Sequence, residues 1–333
     1  MLDATRLRVL VAVARHGSVT AAAQALNYAQ PSISHHMARL EAETGAKLME
    51  RSGRGIKLTE AGLLLAERAQ EILGRLDAAE AELAAHVGLR CEQVRVAAFG
   101  SALAALVPAA GAALIEQRPG AAISVTQAGP AEAIRMLRAG QADIALVFRY
   151  AITSGADRTA DRVSQIPEGQ IPDDGQIPGG QIPDDGQIPG GQIPDDGGLG
   201  YTLLHDEPVL LLTPEGPGPP SRAARGLADV ADRPWVVGCP ICEDVLTRLA
   251  RRAGFAPKIT SRTADYVAAQ AFVAAGLGAT IAPGLVLRAV RLPGVGAVEL
   301  AGVRRQVFAV SYGQPAKDSA PARFIRALTG AAG

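Results

Sequence analysis

From Gln165 to Gly197 the chain spells "QIPEGQIPDDG" once and "QIPGGQIPDDG" twice. A proline at every fifth or sixth residue removes backbone donors and fixes φ, so neither a helix nor a central strand can run through this stretch. One isoleucine per half-unit is too little apolar surface for a core. Whatever folds must therefore fold before Gln165 and after Gly197. The repeat itself is expected to be a solvated, disordered acidic loop, tolerated because loop-closure entropy grows slowly with length. Its Asp-Asp-Gly steps lack the ligand spacing of an EF-hand or a β-roll, so no metal is expected there. The near-identity of the copies points to a recent in-frame duplication.

The repeat also masks the charge of the rest. It holds Glu168, Asp173, Asp174, Asp184, Asp185, Asp195 and Asp196 and no base, so outside it 33 basic residues face 26 acidic ones although the whole chain is neutral. A basic body suits a polyanionic partner. The 333 residues allow two or three domains, with cores of Ala, Leu and Val because aromatics are only 4%. No apolar run approaches the roughly 18 residues of a membrane span, and "MLDATRLRVLVAVARHG" carries an acid and spaced arginines instead of a signal-peptide core. A cytoplasmic protein with no membrane partner is expected. Cys91, Cys239 and Cys242 are too few for a disulfide framework, and reduced thiols are the default expectation.

The first ninety residues are helical with one interruption. Leu7, Leu10, Val11 and Ala14 recur at helical spacing up to Gly17; Ser18 or Thr20 can cap a short helix carrying Ala22, Ala23 and Leu26 inward; "NYA" makes the turn. The third helix, "QPSISHHMARLEAETG", starts with Pro31 in its first turn and stops at Gly45. Ile33, Met37 and Leu40 face inward, which leaves Gln30, Ser32, Ser34, His35 and Arg39 outward. Two helices on a tight turn, the second presenting small polar groups at its start, meet the requirement for major-groove entry. "KLMERSGRGIKLT" then reads as a hairpin whose Arg51, Arg54 and Lys57 can straddle phosphates. A metal site at His35 and His36 is not expected, since helix neighbours point different ways.

Taken together, "AAAQAL", "QPSIS", "RLEAETG", "L-x-E-R" and "LTEAG" follow one another with the spacing of a known domain. The stretch from Leu7 to Gly62 resembles, without a gap, the winged helix-turn-helix of LysR-type transcriptional regulators. The resemblance implies base contacts from Gln30, Pro31, Ser34 and His35 and a wing contact from Arg54. The chain departs from the family pattern at Ala29, usually Ser, and at His35, usually Arg. Ala29 supplies no side-chain cap, and His35 is shorter and mostly neutral at pH 7.

From Thr59 onward, Leu65, Ala69, Ile72, Leu76, Ala79 and Leu83 alternate at steps of four and three, a heptad seam on a helix of nearly thirty residues capped by Thr59 and ended by Gly88. In the resembled family this linker helix pairs antiparallel with a second subunit.

Beyond Cys91, strands alternate with helices: "QVRVAAF", "ALAALVPAAGAALIEQ", "AAISVTQ", "PAEAIRMLRAG" and "ADIALVF" before the repeat, and "YTLLHDEPVLLLTP", "RPWVVG", "EDVLTRLARRAG", "KITS", "YVAAQAFVAAG", "GATIAP", "RQVFAVSY" and "PARFIRALTG" after it. Such alternation predicts a parallel sheet covered on both faces. The pattern resembles the effector-binding domain of the same family, two lobes built like a periplasmic solute-binding protein, with "VAAGLGATIAP" the most specific piece.

The expected organisation is α + α/β: a winged helix-turn-helix over 1–59, a linker helix over 60–89, and an effector domain over 90–333. Its first lobe is placed at about 92–160 and 268–333, its second at about 199–267, with the insertion at 165–197.

A cleft ligand would meet strand ends and helix starts. Candidate residues there are Ser101, Gln127, Gly129, Arg149, Cys239, Cys242 and Tyr266. Free N–H groups in such places suit a carboxylate, and small carboxylates or aromatics are common effectors in the resembled family. "CPIC" opening a helix can support redox chemistry, but it reads here first as pocket lining and only second as a switch. No G-x-S-x-G, H-E-x-x-H or phosphate loop is present, so no catalysis, cofactor or metal is expected.

The leading expectation is a ligand-responsive regulator that binds promoter DNA as a dimer or tetramer, with RNA polymerase as a further candidate partner. A redox sensor acting through Cys239 and Cys242 is the alternative, and a solute-binding or enzymatic domain with vestigial DNA contact is the third reading.

Overall fold

A computed structural model describes residues 2–52, 55–86, 92–152, 198–215 and 226–331. The repeat, Arg54, Gly88 and Cys91 lie outside the described residues. Contacts divide the chain into two units, Met1–Glu92 with Arg135–Asp143, and Gln93–Ile134 with Ile144–Gly333.

In the first unit, α1 (Ala4–His16) begins at Asp3, whose carboxylate accepts from the Thr5 and Arg6 N–H groups, and ends on Gly17 in the left-handed region at φ 67°. Helix α2 (Val19–Ala25) is capped by the Ser18 hydroxyl, and the turn after it passes through Asn27 at φ 54°, a conformation Asn tolerates better than most residues. Helix α3 (Gln30–Thr44) follows, its start at Ala29 lacking a side-chain cap. Strands β1 (Met49–Ser52) and β2 (Gly55–Leu58) pair antiparallel as the wing.

The Thr59 hydroxyl accepts from the Gly62 N–H and donates to the Lys47 carbonyl, tying wing to helix at the start of α4 (Glu60–His86). Gly62 is required by close approach, since a Cβ there would meet the Leu48 carbonyl oxygen at 2.2 Å. The heptad seam of α4 resolves into two rows. Ala66, Ala69 and Leu73 are buried with Leu10, Ile33, Met37 and Leu40 in the unit's own core. Ile72, Leu76 and Leu83 remain 47%, 41% and 63% exposed. Ala69, expected on the intersubunit seam, thus packs inward, because α4 lies along α1.

The second unit centres on a six-stranded sheet ordered β4-β3-β5-β10-β6-β9, where β3 is Gln93–Ala98, β4 Ala122–Gln127, β5 Ile144–Ile152, β6 Leu199–Pro214, β9 Thr280–Pro283 and β10 Val295–Tyr312. Strands β7 (Pro234–Val237) and β8 (Lys258–Arg262) form a separate parallel pair. The large sheet is mixed, not parallel as expected: β3 runs parallel to β4 and β5, whereas β10 is antiparallel to β5 and β6. Two long strands returning through the middle impose this direction.

The helix expected over 102–117 is broken into α5 (Gly100–Ala105) and α6 (Val107–Gln117). Pro108 has no N–H to give the carbonyl of Ala104. Helices α7 (Pro130–Arg138), α8 (Pro240–Arg252), α9 (Tyr266–Ala274) and α11 (Ala320–Ala331) fall where the periodicity predicts, and α10 (Gly284–Ala289) was not expected.

Two apolar centres give the two lobes. Val96, Leu114, Ile144, Val307, Phe324 and Leu328 belong to the first. In the second, Trp235 packs with Leu211, Val245, Ile281, Leu300 and Val303. Ile281, Leu300 and Val303 therefore belong with the second lobe, not with the first as the boundary at 268 implied. Ile281 is carried there by β9, which pairs with the end of β6, while Leu300 and Val303 lie at the irregularity where β10 leaves its register with β6 between Glu299 and Arg304.

Candidate functional site

Helix α3 offers a polar surface because its three apolar residues are spent on the core. Ile33, Met37 and Leu40 are fully buried, while Gln30, Pro31, Ser32, Ser34, His35 and Arg39 are all exposed. Tyr28 was not singled out from sequence; it is exposed and stacks on His36 with ring centroids 5.9 Å apart, adding an aromatic edge to this face.

The wing is fixed to α3 through Glu41. Its Oε1 accepts from the Leu48 N–H at 2.8 Å and the Met49 N–H at 3.2 Å, and Lys47 lies 3.4 Å from its other oxygen. Partial burial pushes the Glu41 carboxyl up, but the two N–H donors and the Lys47 charge outweigh it and hold the group below its ordinary range. Lys57, expected to reach phosphates, pairs across the hairpin with Glu50 at 3.1 Å on an exposed surface.

The second unit holds a buried polar cluster. Arg305 on β10 is fully shut from solvent. Its Nε donates to Glu207 Oε1 at 2.7 Å and its Nη2 to the Ser101 hydroxyl at 2.9 Å. Glu207 on β6 is buried as well, and its Oε2 accepts the Leu285 N–H at the start of α10. The guanidinium carbon lies 5.0 Å from the ring centroids of both Phe99 and Phe148. Tyr150 is paired opposite Arg305 in the sheet; burial pushes its hydroxyl well above the usual range, with Arg305, Tyr266 and Glu207 acting on it as neighbours.

Of the candidate ligand residues, Ser101 is part of this cluster and Tyr266 borders it. Gln127 reaches the α5 start, its Nε2 lying 3.8 Å from where a Cβ on Gly100 would stand. Gly129 precedes α7, where its carbonyl accepts the Ala133 N–H. Arg149 is placed elsewhere. Strand side chains alternate, so Arg149 occupies the face opposite Tyr150, where its Nε donates to Gln306 at 2.7 Å and its guanidinium covers Phe308.

Cys242 and Tyr266 line a small pocket together with Gly238, Gln270, Thr280 and Val286, with room for about one water molecule. Cys239 caps α8, its Sγ accepting the Cys242 N–H, and the two cysteines are joined as a disulfide, contrary to the expectation of reduced thiols. The C-x-x-C spacing at a helix start sets their Cα atoms 5.0 Å apart, inside the range that a disulfide spans.

Glu207, Tyr150 and Arg305 escaped the reading of the sequence. A signal for two of them was present: Arg305 falls in the buried phase of its strand with Val303, Val307 and Ala309, and Glu207 in that of Val209 and Leu211. A charge in the apolar phase of a strand demands a buried partner.

These two features, an exposed polar helix in a winged domain and a two-lobed α/β domain with a polar centre, define a DNA-binding sensor architecture. The model of the bacterial regulatory helix-turn-helix protein, lysR family, matches residues 4–63, and that of the LysR substrate binding domain matches 88–161 and 189–333. The chain belongs to the LysR family, whose members regulate transcription and are not enzymes. It carries the helix-turn-helix and the substrate binding domain of that family.

Among curated relatives, it is 37% identical over 105 residues to an uncharacterized HTH-type transcriptional regulator, YvbU, of Bacillus subtilis, covering 31% of this chain and 36% of that protein. It is 42% identical over 80 residues to a probable cat1 operon transcriptional activator of Acinetobacter lwoffii, covering 24% of this chain and 26% of that protein. The matches thus span about a quarter to a third of those relatives. The fold is like that of CbnR, a LysR family transcriptional regulator, at 23% identity and a TM-score of 0.58 over the whole of both chains. CbnR has also been solved in complex with its target DNA. A full-length OxyR of Pseudomonas aeruginosa, solved with one cysteine replaced by aspartate, is similar at 18% identity and a TM-score of 0.57, covering 99% of this chain and 94% of that one. Among the described residues no helix is long and apolar enough to cross a membrane.

Proposed function

We propose that this regulator binds promoter DNA as a dimer or tetramer and changes transcription when a small effector, a carboxylate or an aromatic, occupies its substrate-binding domain. The observation that carries the DNA reading is the α3 surface, where every candidate contact in the described chain is exposed while the alternate apolar positions are buried. Gln30, Pro31, Ser32, Ser34, His35 and Arg39 are its proposed base and phosphate contacts, with Arg54 on the wing. The open row Ile72, Leu76 and Leu83 on α4 supports self-association. Ser101, Gln127, Gly129, Cys239, Cys242 and Tyr266 are the proposed effector contacts, with Arg149 on the opposite face of the sheet. The effector must bind one lobe arrangement more tightly than the other to shift the equilibrium.

Gel shift of the protein on the intergenic DNA upstream of its own gene, run as a salt series, tests the reading. Sequence-dependent affinity that weakens with salt is expected, and affinity blind to sequence at every salt concentration would refute it.

The Cys239–Cys242 bond favours a second reading, a regulator switched by thiol oxidation. A Cys239→Ser, Cys242→Ser double variant that keeps its full response to oxidant would remove it.

A further inference from the structure

Arg305 is the one fully buried cation among the described residues, and its hydrogen bonding is incomplete. A guanidinium carries five N–H donors. Nε and Nη2 are engaged by Glu207 and Ser101, yet Nη1 is buried with no acceptor among the described residues. A buried donor without a partner is destabilising, and a ligand oxygen that meets it recovers the lost hydrogen bond.

The charge of the cluster decides which oxygen. Glu207 is buried against Arg305 and neutralises it, so Nη1 offers hydrogen bonds without a net positive charge. A carboxylate at Nη1 would bring a second anion beside Glu207 in a dry site, where an uncompensated charge is heavily penalised. A carbonyl or hydroxyl oxygen adds none. Phe99, Phe148, Tyr150 and Tyr266 give the surroundings an aromatic character.

We propose that Arg305 is the specificity-determining residue of the effector site, and that it selects a small aromatic ligand bearing an uncharged oxygen acceptor over the matching carboxylate. The inference rests on the effector reading above and reverses the preference for an anion that free helix N–H groups suggest. Arg305 is fully enclosed, so a ligand reaches Nη1 only where the packing around it opens.

Benzamide and benzoate, nearly equal in shape and different in charge, are the probes. Their binding to the full-length protein is read at pH 7.5 and matched ionic strength from the shift of the thermal unfolding midpoint at millimolar concentrations. Benzamide is expected to bind the unaltered protein at least about tenfold more tightly than benzoate. Glu207→Gln leaves the Arg305 charge unbalanced and is expected to turn the preference toward benzoate. Should that variant fail to fold, the double variant Arg305→Gln, Glu207→Gln removes both charges and is expected to bind the two probes alike. A preference for benzoate in the unaltered protein, no shift with either probe, or a benzamide preference that survives the double variant would each overturn the proposal. DNA binding is followed on the same samples by gel shift; loss of sequence preference there sinks the regulator reading, whereas an inverted probe preference sinks only this inference.

Discussion

The exposed polar face of α3 and the Arg305 cluster solve opposite problems with polar side chains. On α3, six candidate contacts stand in water and are positioned by three buried apolar residues on the other side of the same helix. In the sensor, a charge is sunk into the interior and held by side chains 98 and 204 residues away in sequence. A surface of the first kind can change its residues, and with them its specificity, at little cost in stability. A cluster of the second kind ties its members to one another, so a single change leaves a partner charge buried without its counterpart.

Substitutions sharpen this contrast, and the largest effect belongs to the buried pair. Arg305→Leu or Glu207→Leu alone strands its partner charge and is expected to destabilise by about 3–5 kcal/mol, while the double leucine variant recovers most of that loss. Urea unfolding of the three variants checks it, and additive losses would contradict a coupled pair. On α3, Gln30→Ala is expected to weaken binding to the preferred site by about 1–3 kcal/mol, with less effect on unrelated DNA and none on the unfolding midpoint. Competition gel shift beside a melting curve separates the two effects.

Between these extremes lies Glu41, which joins α3 to the wing. Glu41→Gln is expected to cost about 1.5 kcal/mol, the scale of hydrogen bonds to a charged acceptor. Because the folded carboxyl is held low, its stabilisation is complete above about pH 4.3, the ordinary glutamate value, and fades as pH falls through the lower folded value. The difference between the unaltered protein and the variant should therefore shrink on acidification and hold constant from about pH 6 upward to about pH 8. The exposed Lys57–Glu50 pair closes the series: Glu50→Gln should change stability by less than about 0.5 kcal/mol, measured by the same urea titration.

The same contrast explains how much of the molecule its sequence discloses. Helices α1 to α4, their caps at Ser18 and Thr59, and the outward set on α3 follow from spacing within single helices, where cause and effect are a few residues apart. The break at Pro108 is legible by the same local logic, since a proline inside a helical pattern ends or kinks it, although the apolar period runs on across it. What stays hidden depends on pairing across the chain. The direction of β10, the membership of Ile281 and Leu300 in the second lobe, and the meeting of Ser101, Glu207 and Arg305 are set by which strands lie side by side, and no local period encodes that. Arg149 shows the limit plainly: its position at a strand end is readable, but the face it points to depends on the register with Gln306.

On the proposed self-association, the uncovered row on α4 would make protein concentration a variable of regulation. A helix of 27 residues, about 40 Å long at 1.5 Å per residue, leaves Ile72, Leu76 and Leu83 exposed in the single chain. Association that hides them is second order in protein, so promoter occupancy would rise more steeply than the amount of chain, and the melting temperature would climb on concentrating the sample. Regulation would then respond to how much of the regulator is made as well as to what it binds.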